Sequence, residues 1–580
     1  MHKQGIKAWK HSLVFILLIL CIGGLAVRHY LLVRKDGQML GELARRQQQM
    51  TIIDPGRPGG IFIASGRSCT PIAISRQAPL CFVDPSLAPA DQLDEICRKL
   101  GGILGKEAHE LRGAITRRPN SRFVVLAKQI SGEQAKAVKA LNLQCVGVVH
   151  EWRREYPANE LCATVVGFPP APGVANTGAG IELTYKDLLA AKDGMMLSLT
   201  DAIRRPVEPL DDRRVLPEDG SNIVLYIDAP VQEALEKALA AAVEKHQAQW
   251  ANGIVVDPKT GAIVAMASAP SFNPADYSSA TPANRTNRAI TVPYEPGSVA
   301  KPIFAAAAVE AGIVTYETKI FCENGTYVMP RAGRVSDHGE AHGWLTVRDG
   351  IVFSSNICMA KIGQMTGNER LYEIATSFGL GRKSGIDLPG EDAGIVRDLH
   401  KWNTYSTPRV PFGQEVSTTS LQLVMAFSAL VNGGELLQPR VVNRVLDSQQ
   451  RVVWQSERTV VRRVISEGVS AQTRSVLADV VERGTGKMAR MNRWTSFGKT
   501  GTAQVPGPRG YEPGAYTGSF IGGSPVGEPR VVCLISVFKP KRAGYYGSTV
   551  AAPYVKDVLE QAMVYYNVPP DRPEGQERRR

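Results

Sequence analysis

Residues 294–301 read Tyr294-Glu295-Pro296-Gly297-Ser298-Val299-Ala300-Lys301. Pro296 and Gly297 suit a helix start, and the apolar run that follows predicts a helix over 298–311. On a helix, positions i and i+3 share a face, so Ser298 and Lys301 are placed to meet. A lysine stripped of water has a lowered pKa and can accept a serine proton. At a helix start the first N–H groups lack intrahelical partners. The N–H of Ser298 is therefore available as half of an oxyanion hole.

One S-x-x-K is weak evidence, because the chain has three: Ser298–Lys301, Ser496–Lys499 and Ser536–Lys539. The last two fall in expected strands, where i and i+3 face opposite ways. S-x-N occurs as Ser271-Phe272-Asn273 and as Ser354-Ser355-Asn356. K-T-G occurs as Lys259-Thr260-Gly261 and as Lys499-Thr500-Gly501. The first of each reads as turn chemistry: SFNP as a loop, and DPKTG as a hairpin between apolar runs 253–256 and 262–267. One set alone runs in the order S-x-x-K, S-x-N, K-T-G. That ordered triple is far more specific than any member.

The remaining chain sets the context. Its 580 residues allow three or four domains' worth of chain, and 44% apolar with 21% charged residues is a globular composition. A net charge of +13 invites a nucleic-acid reading. The arginine pairs are scattered, however, with no stripe of interleaved aromatics, so nucleic-acid binding is not expected. Nine cysteines include no CxxC pair, which argues against zinc and thioredoxin chemistry. Gly484-Thr485-Gly486-Lys487 lacks the spacing of a phosphate loop. His338 and His342 have no third ligand at a recognisable spacing, so no metal or organic cofactor is expected.

Ser12 to Val27 carries no charge, and Leu31-Leu32-Val33 extends the apolar stretch past Arg28. With Lys3, Lys7 and Lys10 before it, this is the layout of an uncleaved signal anchor. Further along, apolar and helical periods predict a strand over 222–227, Asp228 as an N-cap, helices over 231–246 and 551–565, and strands over 519–522 and 531–537.

The three motifs, with EPGSVAKP, TSFGLGRKSGIDLPGE, FGQEVSTTSLQLVMAFSALVNGG and GKTGTAQ, resemble the class B penicillin-binding proteins, peptidoglycan D,D-transpeptidases, from about Thr51 to Asp571. YEPGS preceded by NRAIT is more like the division-septum (FtsI-type) branch than the elongation branch, and an elongation-type transpeptidase is the alternative. RREYP and GAGIE resemble that family's non-catalytic module. The block around Gly60 departs from the pattern: Phe62-Ile63-Ala64-Ser65 stands where an acidic residue and an arginine are usual. Cys358 likewise stands where a small residue is common, and is expected to be a buried apolar filler.

The resemblance implies an α/β (α+β) fold: a mainly antiparallel five-stranded sheet, flanking helices and an all-helical lobe, with an N-terminal mixed α/β pedestal. It implies Ser298 as nucleophile, Lys301 as base, Ser354 as proton relay and Asn356 as the holder of the donor amide. Lys499, Thr500 and Thr502 would bind the terminal carboxylate, Gly501 would let the backbone approach, and the N–H groups of Ser298 and Thr502 would form the oxyanion hole. The expected division is 1–11 cytoplasmic tail, 12–33 membrane anchor, 34–207 pedestal (dimerisation) domain, 208–220 linker, 221–567 transpeptidase domain and 568–580 disordered tail. Expected partners are stem peptides ending in D-Ala-D-Ala, an acceptor amine, β-lactams and a membrane glycosyltransferase. The expected location is the cytoplasmic membrane, single-pass, with the catalytic domain outside. A carboxypeptidase or β-lactamase of the same fold would use the same motifs. A penicillin-recognising sensor should have more membrane segments and a cytoplasmic signalling domain, and a dead scaffold should have lost a catalytic residue; one span is visible and no catalytic residue is missing.

Overall fold

The computed structural model describes residues 3–65, 68–171, 174, 177–200, 206–329, 333–508 and 510–572. The chain divides into two units, 1–57 with 191–219, and 58–190 with 220–580.

In the first unit, helix α1 (Lys3–Gln48) contains a stretch, Trp9–Glu42, long and apolar enough to cross a membrane. Strands Gln49–Asp54, Gly194–Thr200 and Pro206–Val215 form an antiparallel ladder in that order. The expected linker therefore differs from the structure, since most of 208–220 belongs to a strand. Two prolines and five charges obscured the strand signal. Pro206–Val215 is an edge strand, where prolines and charges are tolerated.

The second unit holds two main sheets. One has seven strands: Ile61–Ser65 pairs in parallel with Asn222–Asp228 and antiparallel with Ser68–Val83. Strands on both sides of the expected linker thus share one sheet. The pedestal motifs meet beside it: Arg154 Nε donates to Glu182 Oε1 at 2.6 Å, and the Tyr156 hydroxyl donates to the same oxygen at 3.1 Å. Arg154 also donates to the Gly59 carbonyl, so a buried ion pair lies next to the block whose usual charges are missing.

The other sheet positions the site. Its strands are β1 (Trp250–Val256), β2 (Ile263–Ala269), β3 (Phe497–Gly507), β4 (Gly510–Ser524) and β5 (Val531–Phe538). Their order is β2-β1-β5-β4-β3, every pairing is antiparallel, and β3 is an edge. Side chains alternate between faces. Val255, Cys533 and Ile535 pack on α2 (Ala229–His246) and, near the C-terminus, the helix Ala552–Tyr565. Ile254, Val532 and Leu534 pack on the opposite core. That core holds α3 (Lys301–Glu310), α4 (Asn356–Thr366), α5 (Ser420–Val431) and α6 (Glu467–Glu482). Every residue of α5 is buried. Each fully buried Leu or Phe side chain contributes ~1.5–3 kcal/mol to such a core. The helical lobe also carries short ladders, including Thr326–Met329 with Gly333–Ser336.

Two smaller expectations need correction. Asp228 occupies the N-cap position of α2 without a capping bond; its carboxylate instead accepts from the Tyr565 and Tyr566 hydroxyls. Part of the expected tail is also tied down. The Val568 carbonyl accepts from Trp494 Nε1 at 3.0 Å, and Asp571 accepts from the Thr495 N–H at 2.6 Å. Residues 573–580 lie outside the described residues.

Candidate active site

The turn that carries Ser298 comes first. Gly297–Ala300 form a 3-10 turn that feeds into α3, with Pro302 in the first helical turn. Gly297 has φ +54°, and a Cβ there would lie 2.9 Å from the Thr502 carbonyl. On β3, a Cβ at Gly501 would lie 2.6 Å from Val299 Cγ2 and would collide with Ser519 Oγ. Two glycines thus let the edge strand lie flat against the turn. The Gly297 N–H also donates to the Gly413 carbonyl at 3.1 Å, which ties the turn to the FGQE loop.

Ser354 ends the short helix before α4 and has φ +63°, a left-handed conformation that costs a non-glycine residue about 1 kcal/mol or more. Its hydroxyl oxygen lies 3.2 Å from Lys301 Nζ and 2.9 Å from Lys499 Nζ. Its carbonyl also accepts from Lys301. Lys301 reaches from α3 and Lys499 from β3, and both side chains are fully buried. Burial pushes Lys301 down to about 7, against an upward pull from Asp337 and then Cys358. Lys499 is held well below the usual lysine range by burial and then by the charge of Lys301. Two like charges sharing one hydroxyl in a dry site cannot both be comfortable.

The expected bond from Ser298 to Lys301 is not formed; among the described residues Lys301 bonds Ser354 instead. Ser298 lines a cleft of about 180 Å³ together with Asn356, His338, Thr502, Gln504 and Tyr516. The Asn356 amide donates to the Ser336 carbonyl at 2.9 Å. Thr500 Oγ1 lies 2.8 Å from Thr485 Oγ1 and 3.4 Å from Lys499 Nζ. Thr502 Oγ1 accepts from the Gly547 N–H at 3.2 Å, so its own proton can point into the cleft. All eight residues singled out in the sequence therefore gather around this cleft and the buried pocket behind it.

Several participants were not legible. Asp337 accepts from the Asn356 and Ile357 N–H groups at 2.6 and 3.0 Å and from the Ser355 hydroxyl at 2.7 Å. Thr485 belongs to the loop set aside as a failed phosphate motif. Tyr516, Tyr545 and Tyr546 line the cleft; Tyr516 stacks on Tyr545 with centroids 4.0 Å apart, and Tyr546 lies tilted against Tyr545 at 4.5 Å. Each reaches the site from a loop or an adjacent strand, at no fixed spacing from the motifs. Cys358 is buried, as its position suggested, and all nine cysteines are free. A larger hollow of about 580 Å³, walled by Glu295, Arg397, Glu415 and Val505, shares Gln504 with the cleft but holds none of the motif residues.

A serine on a 3-10 turn, two buried lysines around one hydroxyl and an edge strand carrying K-T-G-T form an arrangement that a serine acyltransferase acting on a peptide strand could use. The penicillin-binding protein transpeptidase domain matches residues 252–560, and the chain belongs to that family. It is similar to stage V sporulation protein D of Bacillus subtilis, at 32% identity over 92% of this chain and 82% of that protein. It is also similar to the probable peptidoglycan D,D-transpeptidase PbpC of Pseudomonas aeruginosa, at 30% identity over 96% and 95% of the two chains. Among solved structures, penicillin-binding protein 3 of Mycobacterium tuberculosis, complexed with aztreonam, shares the fold with a TM-score of 0.68. Its identity is 24%, over 90% of this chain and 99% of that one.

Proposed function

We propose that this D,D-transpeptidase cross-links cell-wall peptidoglycan through an acyl-enzyme on Ser298. The observation that carries the reading is the Lys301–Ser354–Lys499 cluster behind Ser298. A D-Ala-D-Ala stem lies along the β3 edge as an added strand. Its carboxylate takes the Lys499 ammonium and the hydroxyls of Thr500 and Thr502. That anion favours the proton on Lys499 and leaves Lys301 neutral.

Neutral Lys301 removes the Ser298 proton as Oγ attacks the penultimate D-Ala carbonyl. The oxyanion is held by the N–H groups of Ser298 and Thr502. The C–N bond breaks, and the proton passes through Ser354 to the leaving amine, so free D-Ala departs. Asn356 holds the donor amide. A second stem's amine then attacks the ester, an amide forms, and Ser298 regains its proton. A β-lactam ring presents the same carbonyl and carboxylate, so it acylates Ser298 too.

The apolar stretch of α1 supports a single-pass membrane anchor, with the catalytic unit outside, where its substrate lies. The YEPGS form favours septal use, beside a membrane glycosyltransferase that makes the glycan. The chemistry is tested with a synthetic stem pentapeptide and an excess of glycine or a D-amino acid. Release of D-Ala with incorporation of the added amine is expected. Release into water alone would make the enzyme a carboxypeptidase. Septal use is tested by a fluorescent fusion, which should concentrate at the division site; even placement along the side wall would overturn that assignment.

A further inference from the structure

Asp337 follows the short ladder strand Gly333–Ser336 and faces the first turn of α4. Three donors converge on its carboxylate, namely two backbone N–H groups and the Ser355 hydroxyl, all within 3.0 Å. No cation pairs with it among the described residues. The Ser355 hydroxyl is doubly committed, since it also accepts from the Cys358 N–H at 3.0 Å. On the other side the Ser355 N–H donates to the Gly350 carbonyl at 2.8 Å. The peptide after Ser354 is therefore clamped from both sides, while Ser354 itself sits in a strained left-handed conformation. A strained residue persists only where its surroundings over-determine it.

We propose that Asp337 is a positioning residue for acylation: it clamps the Ser354–Asn356 turn and brings a carboxylate to the turn that Lys301 bonds. This rests on Ser298 acylation as read above. A neutral Asn could accept the same two N–H bonds at the helix N-terminus, so the clamp alone does not require a charge. The charge acts on Lys301, which is otherwise surrounded by Lys499, the Ser354 hydroxyl and the Cys358 thiol, with Cys322 against Cys358. Of these groups only Asp337 is a carboxylate. It keeps enough proton affinity on Lys301 for the base to hold the serine proton until the leaving amine needs it. His338, next in sequence, lines the cleft and is the other group whose titration must be separated.

The test is the rate of acylation by a fluorescent penicillin across about pH 5 to 9, on the full-length protein in detergent. The wild type should show an acid limb as Lys301 loses its proton. In Asp337→Asn that limb should move to lower pH by on the order of one unit, with a plateau lowered about tenfold. A purely structural residue would lower the plateau and leave the midpoint in place, and that result overturns the proposal. Should Asp337→Asn fail to fold by near-ultraviolet circular dichroism, Asp337→Glu decides. It keeps the charge on a longer arm, so the midpoint should stay while the plateau falls; a moved midpoint overturns the proposal. A limb that shifts in His338→Gln belongs to the imidazole and also overturns it. Absence of labelling in the wild type would instead defeat the reading of Ser298, a distinct outcome.

Discussion

Lys301 and Lys499 converge on one atom, the Ser354 hydroxyl oxygen, at 3.2 and 2.9 Å. They come from a helix and from an edge strand, and neither side chain touches water. The arrangement is costly to the fold, because a buried lysine must either stay charged without solvent or give up its proton. It is useful to the reaction for the same reason. In the proposed reaction one lysine is neutral and acts as a base, and the other is charged and holds a carboxylate.

The first prediction concerns stability. Burial pushes Lys301 down to about 7 in the fold, from an ordinary lysine value of about 10.5 in the unfolded chain. Between those values the unfolded state binds the extra proton, so stability should rise with pH across that window. Replacing the lysine by an apolar residue of similar volume removes the cost. Lys301→Met should therefore raise the melting temperature and add about 2 kcal/mol of stability at pH 7, while abolishing acylation. Thermal unfolding of the two proteins checks this, and a less stable Lys301→Met would contradict it.

The second prediction concerns close approach. A Cβ at Gly501 would meet Val299 and the Pro296 carbonyl, so β3 must move off the nucleophile turn. Gly501→Ala should slow acylation at least a hundredfold, and overpacking should cost ~1–3 kcal/mol. Stopped-flow acylation together with urea unfolding separates the two effects. Unaltered acylation would mean that the strand does not form the cleft wall.

The third prediction concerns the carboxylate. Thr485 orients the Thr500 hydroxyl from 2.8 Å. In Thr485→Val that hydroxyl keeps only the longer contact with Lys499 Nζ, and the lost bond costs about 1 kcal/mol. The apparent affinity for penicillin before acylation should drop about fivefold, with the acylation rate constant at saturation little changed. The inverse pattern would place Thr485 in the chemical step.

The fourth prediction concerns the anchor. Full-length protein should remain in the membrane fraction after a high-salt wash and dissolve in detergent. A chain starting at residue 49 should be recovered without detergent and still take up penicillin. Release of the full-length protein by salt alone would rule out a spanning α1.

Much of this was legible from the chain. The apolar run 531–537 and the DPKTG turn located the core strands and their hairpin, and the order of three motifs located the cleft. Other features were hidden for identifiable physical reasons. Pro206–Val215 forms an edge strand, where prolines and charges erase the usual pattern. The Arg154–Glu182 pair joins residues 28 apart, each embedded in a motif quoted for other reasons. Asp337 and Thr485 act from loops, where spacing carries no periodicity. The Ser298–Lys301 spacing did place both groups on the nucleophile turn and α3. It could not show that Lys301 would turn toward Ser354, because that choice depends on Lys499 arriving from a strand nearly two hundred residues later.

The central claim is that Ser298, and neither of the other two S-x-x-K serines, carries the acyl group. Fluorescent penicillin added to the wild type and to Ser298→Ala, followed by peptide mass spectrometry, tests it most directly. The account predicts one labelled peptide containing Ser298 in the wild type and no covalent label in the variant. Label that survives in Ser298→Ala, or that maps to Ser496 or Ser536, would contradict it.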